Sequence, residues 1–309
     1  MQFITQSVIS KIGLFNSYCV CAGIALGSFV LVLGLSTLIP HNHREFFELD
    51  PSLSYYHKGN DEVQVYLLYL LVFLIPTGIT GLSFALSDIS WWASEKIKHF
   101  TKLDILLFLC STFAYALLTT ACVTEIIKVI VSRPRPEFFY LCNYKGYADA
   151  VDSGNYTNYF ALTKPNTFGS YDDCYDQSMV SEATSSFPSG HTSMSFASML
   201  FTTFVIQLMF DIANFFTLYG MISFSPLIVS TWIACSRILD YKHREDDVIG
   251  GAIIGIVCTI IAWRSLHVCL TKIRKHFERA TASNGRFSDD NGSGSGNELY
   301  FRLEGGVGV

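Results

Sequence analysis

Six apolar stretches, each close to 20 residues long and nearly free of charge, constrain this chain more than any other feature. They run over residues 18–39, 64–86, 103–127, 192–210, 215–235 and 248–270. A hydrocarbon core of about 30 Å needs roughly 20 mostly apolar residues, because each helical residue rises about 1.5 Å. The competing reading is a set of buried helices in a large soluble core. It fails because charged residues make up only 15% of the 309, against roughly 25% in soluble domains. The expected fold class is therefore all-α, a polytopic membrane protein with six transmembrane helices. The fourth and fifth spans are the least distinct, with only a short hinge at Asp211 and Asn214 between them.

Orientation follows from the basic residues that flank the spans. Lys96, Lys98 and Lys102 follow the second span, and Lys272, Arg274, Lys275 and Arg279 follow the sixth. The positive-inside tendency makes both groups cytoplasmic, with both termini inside. The N-terminal apolar run is too long for a secretory signal and lacks a small-residue cleavage site, so it reads as an anchor. The expected plan is a cytoplasmic N-terminus over 1–17, a six-span domain over 18–270 and a cytoplasmic tail over 271–309. From about Thr281 that tail is rich in Gly, Ser, Asn and Asp and reads as disordered. The loop 128–191 then lies outside the cell or in a lumen. It holds the glycosylation sequon Asn155-Tyr156-Thr157, while a second sequon at Asn291 falls in the tail and stays bare. Of nine cysteines only Cys142 and Cys174 sit in this polar loop, and an oxidising compartment would pair them. A net charge of −5 argues against nucleic acid as a partner. The bilayer is the expected partner, at the plasma membrane or in the endoplasmic reticulum or Golgi, and a homo-oligomer stays open.

Three charged clusters fall on the same side of this topology. The first is Lys128-x6-Arg135-Pro136, where Pro134 and Pro136 end the helix and stiffen the segment that carries the arginines. Snorkelling basic residues at a helix end would look similar. The second is Pro188-Ser189-Gly190-His191, just before the fourth span. Free amides at a helix start bind anions, and His191 is placed to give or take a proton there. An ordinary capped helix is the plainer alternative. The third is Ser236-Arg237-x5-His243-x3-Asp247. If His243 and Asp247 share the opening turn of the last helix, both lie on one face, and a carboxylate on one ring nitrogen frees the other as a nucleophile. A surface pair in a charged loop is the bland reading.

Together the clusters point to phosphoryl chemistry. Lys128, Arg135 and Arg237 with backbone amides suit a multiply charged phosphoryl group, and two histidines can attack phosphorus and protonate the leaving oxygen. No acidic cluster is built for magnesium, no Cys/His spacing suggests zinc, and no cofactor or metal is expected.

In order, spacing and position relative to the spans, the three motifs resemble those of the type 2 phosphatidic acid phosphatase superfamily, nearest to its lipid phosphate phosphatases. The likeness covers roughly 44–270 and includes a fainter Arg44-x-Phe46 and the run from Ser236 to His243. It implies an acid phosphatase/vanadium haloperoxidase-like helical bundle. It implies a phosphohistidine on His243 supported by Asp247, and His191 as the acid and then the base. Lys128, Arg135, Arg237, Ser189 and the Gly190 amide would hold the phosphate. Implied substrates are phosphatidate, lysophosphatidate, sphingosine 1-phosphate and ceramide 1-phosphate. Two further readings stay open: a diphosphate or sugar phosphatase or lipid phosphotransferase using the same site, and a transporter or non-catalytic membrane scaffold.

Overall fold

The structure, a computed structural model, describes residues 44–59, 61–86, 102–210 and 218–289, with isolated residues at 23, 26, 27, 30 and 34. Apart from those isolated residues, the expected first span lies outside the described residues, as do Lys96 and Lys98, the hinge at Asp211 and the second sequon. Two compact units divide the chain, Met1–His267 and Val268–Val309, and the site described below belongs to the first.

In chain order the helices are α1 (Val65–Leu86), α2 (Lys102–Val131), α3 (Phe138–Leu141), α4 (Tyr147–Ser153), α5 (Thr157–Leu162), α6 (Val180–Ala183), α7 (Gly190–Phe210), α8 (Leu218–Ser223), α9 (Ser225–Leu239) and α10 (Glu245–Asp289). Among the described residues there are no strands, only isolated bridges at Phe47–Phe168 and Tyr144–Cys174. Three helices are long and apolar enough to cross a membrane, over Val65–Leu82, Ile105–Val131 and Glu245–Val268. Large apolar side chains on them, including Leu74, Ile130, Ile253 and Val257, face outward. Such a surface suits lipid rather than water, and the chain is an integral membrane protein.

The fifth expected span is not one helix. It is α8 and α9, parted at Phe224. Pro226 sits in the first turn of α9, where its missing N–H costs nothing, and it would break the interior of a longer helix. At the other end, α10 continues through residues 271–289, part of the expected tail. Lys272, Lys275, Glu278, Arg279 and Ala280 are strong helix formers, which accounts for the extension as far as Ala280.

Helix α7 is the axis on which α1, α2 and α9 pack. It matches the fourth expected span but is rich in Ser and Thr, and the packing explains why. Its neighbours shield it, so its hydroxyls bond back within the helix, as those of Ser195, Thr202 and Thr203 do, or its hydroxyls and carbonyls meet hydroxyls and carbonyls of other helices rather than lipid. Ser198 Oγ donates to the Val72 carbonyl (2.6 Å), and Thr124 Oγ1 on α2 donates to Ser193 Oγ (2.9 Å). Ser230 Oγ on α9 donates to the Ser195 carbonyl (2.9 Å), and Thr259 Oγ1 on α10 donates to the Ala197 carbonyl (3.1 Å).

The start of α10 lies against α7 through glycines. A β-carbon on Gly251 would stand 2.5 Å from the Ser189 carbonyl oxygen, and one on Gly255 would stand 2.3 Å from that of Ser193. Backbone atoms cannot yield as a side-chain tip can. Gly255→Ala is therefore expected to destabilise the protein by about 1–3 kcal/mol. It should also lower activity, since α10 carries Asp247. Thermal unfolding in detergent beside turnover checks this, and a wild-type midpoint would contradict it.

Outside the bundle, residues 44–56 and the long loop close on a small core of their own. Phe46 is its hub, with ring centroids 5.0 Å from Phe138, 5.4 Å from Tyr144 and 5.0 Å from Tyr171. Gly169 passes so near that a β-carbon there would stand 2.2 Å from the Phe46 ring. Cys142 and Cys174 are joined in a disulfide with a sequence separation of 32. Closing a loop of that length removes on the order of 3–4 kcal/mol of chain entropy from the unfolded state. Asn155 is exposed between α4 and α5.

Candidate active site

All three clusters meet at one end of the bundle. Lys128 occupies the last turn of α2, and its ammonium would stand 3.2 Å from a β-carbon on Gly190, so the cation lies directly over the start of α7. Glu125 pairs with it at 2.8 Å. Gly190 opens α7, so its N–H has no partner one turn back and points out of the helix start. Ser189 is buried and spends its own N–H on the Asp247 carbonyl (3.0 Å), while its hydroxyl accepts from Thr192 Oγ1 (3.1 Å). The amide left free in this motif is thus that of Gly190, with the Ser189 hydroxyl beside it.

His191 stands within electrostatic reach of Arg237, Lys128 and Arg135. Its Nε2 is buried without a hydrogen-bond partner, and so is Nε of Arg135. Buried polar atoms nearly always find partners. Two orphans in one cationic recess mark a place that receives a polar ligand. Arg135 is otherwise held loosely, 3.3 Å from the exposed Glu182 and 4.0 Å from Glu137.

The geometry of the third motif departs from the expected one. His243 is not in the opening turn of α10; it lies in the turn before it, two residues short of Glu245. Its Nδ1 is 3.9 Å from Asp247 Oδ2 but only 2.7 Å from the Ser186 carbonyl oxygen. A carbonyl can only accept, so Nδ1 must carry the proton and donate it there. Nε2 keeps its lone pair. The tautomer expected from a carboxylate is set instead by a backbone carbonyl.

Asp247 acts one step further out. As the third residue of α10 it reaches back to the N–H of Arg244 (2.9 Å), the reciprocal half of a capping box. The same Oδ2 accepts from Ser186 Oγ (2.6 Å), and Oδ1 accepts from Arg133 Nη1 (2.9 Å). Arg133 also pairs with Asp246. Asp247 thereby fixes the residue whose carbonyl holds His243. Burial is the main reason the His243 imidazole sits well below the ordinary histidine range. The charges of Arg135 and Lys128 and the neighbouring His191 add to it, against a smaller opposing effect of the Ser186 bond. A histidine so placed is neutral at physiological pH, as a nucleophile must be.

Arg237 is 1% exposed. Its Nη2 binds Asp240 Oδ2 (2.9 Å) and its Nη1 binds Asp61 Oδ2 (3.1 Å). Around it runs an ion-pair lattice that the sequence motifs do not announce. Lys242 lies 3.0 Å from Glu137 and 3.5 Å from Asp61, and the His57 ring bonds Glu137 at 2.7 Å. Glu137 follows the first motif directly and Lys242 adjoins His243, so adjacency was the available signal. Asp61 had none.

A helical bundle with these three motifs converging defines a class, and the comparison with known proteins agrees. The PAP2 superfamily pattern matches residues 109–269, just over half of the chain, and the chain belongs to that superfamily. Among curated proteins it is similar to probable lipid phosphate phosphatase 4 of Arabidopsis thaliana, 34% identical over 148 residues, which cover 46% of this chain and 42% of the relative. Lipid phosphate phosphatase 2 of the same plant is 35% identical over 145 residues, covering 46% and 45%. A putative phosphatidate phosphatase of Drosophila melanogaster is 26% identical over 281 residues, covering 83% and 68%. The matches therefore span less than half the length of the two plant relatives. No solved structure matches the chain.

Proposed function

We propose that this protein is a metal-independent lipid phosphate phosphatase, acting on phosphomonoesters such as phosphatidate, lysophosphatidate, sphingosine 1-phosphate and ceramide 1-phosphate. The observation that carries the reading is His243, whose Nε2 keeps a free lone pair near His191, Arg135 and Lys128 because Nδ1 is committed to the Ser186 carbonyl. In the proposed reaction Nε2 attacks phosphorus and the bond to the lipid oxygen breaks. His191 gives its proton to the departing alkoxide. Water then attacks the phosphohistidine and passes a proton to His191, and the P–N bond breaks to release phosphate. A phosphate dianion bound among Lys128, Arg135 and Arg237 favours the charged form of His191, which makes it the acid of the first step. Among the described residues no trio of His, Cys, Asp or Glu is grouped to hold a metal ion, and the reading gives the neutralising role to protein cations.

The names of the relatives support a lipid substrate, as does a site at the end of lipid-facing helices. In this reading the site faces the extracellular or lumenal side, Asn155 carries a glycan, and the enzyme serves phospholipid metabolism and lipid signalling. A second reading is a diphosphate phosphatase with the same site, since the chain is also 25% identical over 154 residues to a probable diacylglycerol pyrophosphate phosphatase 1 of Schizosaccharomyces pombe. A substrate panel in mixed micelles with chelator present tests both. Phosphate release from the monoester lipids should exceed that from diacylglycerol diphosphate and from soluble glycerol phosphate, and orthovanadate should inhibit it. Dependence on a divalent cation, or equal turnover of soluble phosphate, would contradict the proposal.

A further inference from the structure

We propose that Asp61 is an internal anion of the active site, holding Arg237 in the empty enzyme and yielding it to the substrate's phosphate. The inference rests on the phosphatase reading above. It starts from the pairing of Arg237, a fully buried guanidinium with one more carboxylate than its charge requires. Asp240 is itself buried and already supplies one, at 2.9 Å from Nη2. That carboxylate is fixed by the Glu62 N–H (2.9 Å) and by Lys58 (3.4 Å), so it cannot step aside. Nε of Arg237 faces Ser236 Oγ at 3.4 Å. The remaining edge, Nη1, is the one a phosphate oxygen can use, and Asp61 Oδ2 occupies it at 3.1 Å.

Asp61 differs from Asp240 in being able to leave. Its side chain is 23% exposed while that of Asp240 is fully buried. It lies in the irregular segment just ahead of α1. Its second contact, with Lys242 at 3.5 Å, is not the only one for that lysine, which keeps Glu137 at 3.0 Å. Moving Asp61 therefore leaves neither cation without a partner. The carboxylate is also close enough for its charge to act on His191. A phosphate oxygen on Nη1 would stand where Asp61 Oδ2 stands, and two anions there repel, so the two exchange rather than share. The expected consequence is a site that binds phosphate only moderately and so releases its product.

The test is Asp61→Asn in the full-length protein in detergent micelles, with inorganic phosphate as competitive inhibitor of lipid phosphate turnover. The amide keeps the shape and removes the competing charge. The inhibition constant should fall about tenfold, the equivalent of one charge-assisted hydrogen bond of about 1.4 kcal/mol. KM should fall with it, and kcat should not rise. Asp61→Glu restores the charge and should return the wild-type constant. If Asp61→Asn does not fold, Asp61→Ser carries the same expectation. An unchanged or higher inhibition constant in a folded variant would make Asp61 a support for Arg237 and overturn the inference. Wild-type enzyme insensitive to phosphate would overturn the phosphatase reading together with it.

Discussion

Replacing His243 with alanine is expected to lower kcat by on the order of 10⁴-fold or more, the usual consequence of removing a nucleophile. The expectation depends on how the imidazole is held. Its Nδ1 proton is committed to the Ser186 carbonyl at 2.7 Å, so the whole nucleophilic capacity of the ring is at Nε2. The ring is buried. Lys128, Arg135 and Arg237 remain in the variant, so lipid phosphate should still bind and KM should change far less than kcat. The measurement is steady-state turnover beside equilibrium binding of orthovanadate. Turnover within tenfold of wild type would mean that another group attacks phosphorus.

The second large effect belongs to Asp247→Asn. The carboxylate uses Oδ2 for Ser186 Oγ and the Arg244 N–H, and Oδ1 for Arg133. Asparagine has one oxygen where the site needs two acceptors. The backbone N–H of Arg244 cannot reverse, so the amide oxygen goes there and the NH₂ group turns to Arg133, a donor facing a donor. Arg133 keeps Asp246, so the cost to stability is that of a buried polar group left badly paired, about 1–3 kcal/mol. The Ser186 segment then loosens and the imidazole with it, and misplacement by about 1 Å lowers kcat by roughly 10²-fold. A loss near 10⁴-fold, as when a triad carboxylate sets the tautomer directly, would instead place Asp247 on the imidazole itself. Parallel kinetics and thermal unfolding of Asp247→Asn and His243→Ala decide between the two.

These two residues also show what a sequence can carry. Lys128, Arg135, Gly190, His191, Arg237 and His243 were legible because charge and unpaired amides at span ends are costly and so stand out against an apolar chain. The partner of His243 was not. A four-residue spacing suggests a helical pair, but the helix begins at Glu245, after the histidine, and the acceptor is a backbone carbonyl with no signature in residue identity. Asp61 and Glu137 escaped for a related reason. Neither is part of a motif, Glu137 being marked only by adjacency to Pro136, and only the fold brings Asp61 to Arg237 across 176 positions. The break in the fifth span was written in Pro226, yet the apolar run around it reads as continuous. The Ser and Thr of the fourth span suit α7, which is surrounded by protein.

The central claim is that Nε2 of His243 carries the phosphoryl group, and trapping the intermediate tests it most directly. Enzyme mixed with phosphorus-labelled lipid phosphate and quenched in denaturant within one turnover should carry label on one residue. Mapping the labelled peptide, and identifying the phosphohistidine isomer by nuclear magnetic resonance, locates the bond. The expected result is phosphate on Nε2 of His243, absent from His243→Ala. Phosphate on Nδ1 of His243, phosphate on His191, or turnover with no phosphoenzyme at any quench time would contradict it.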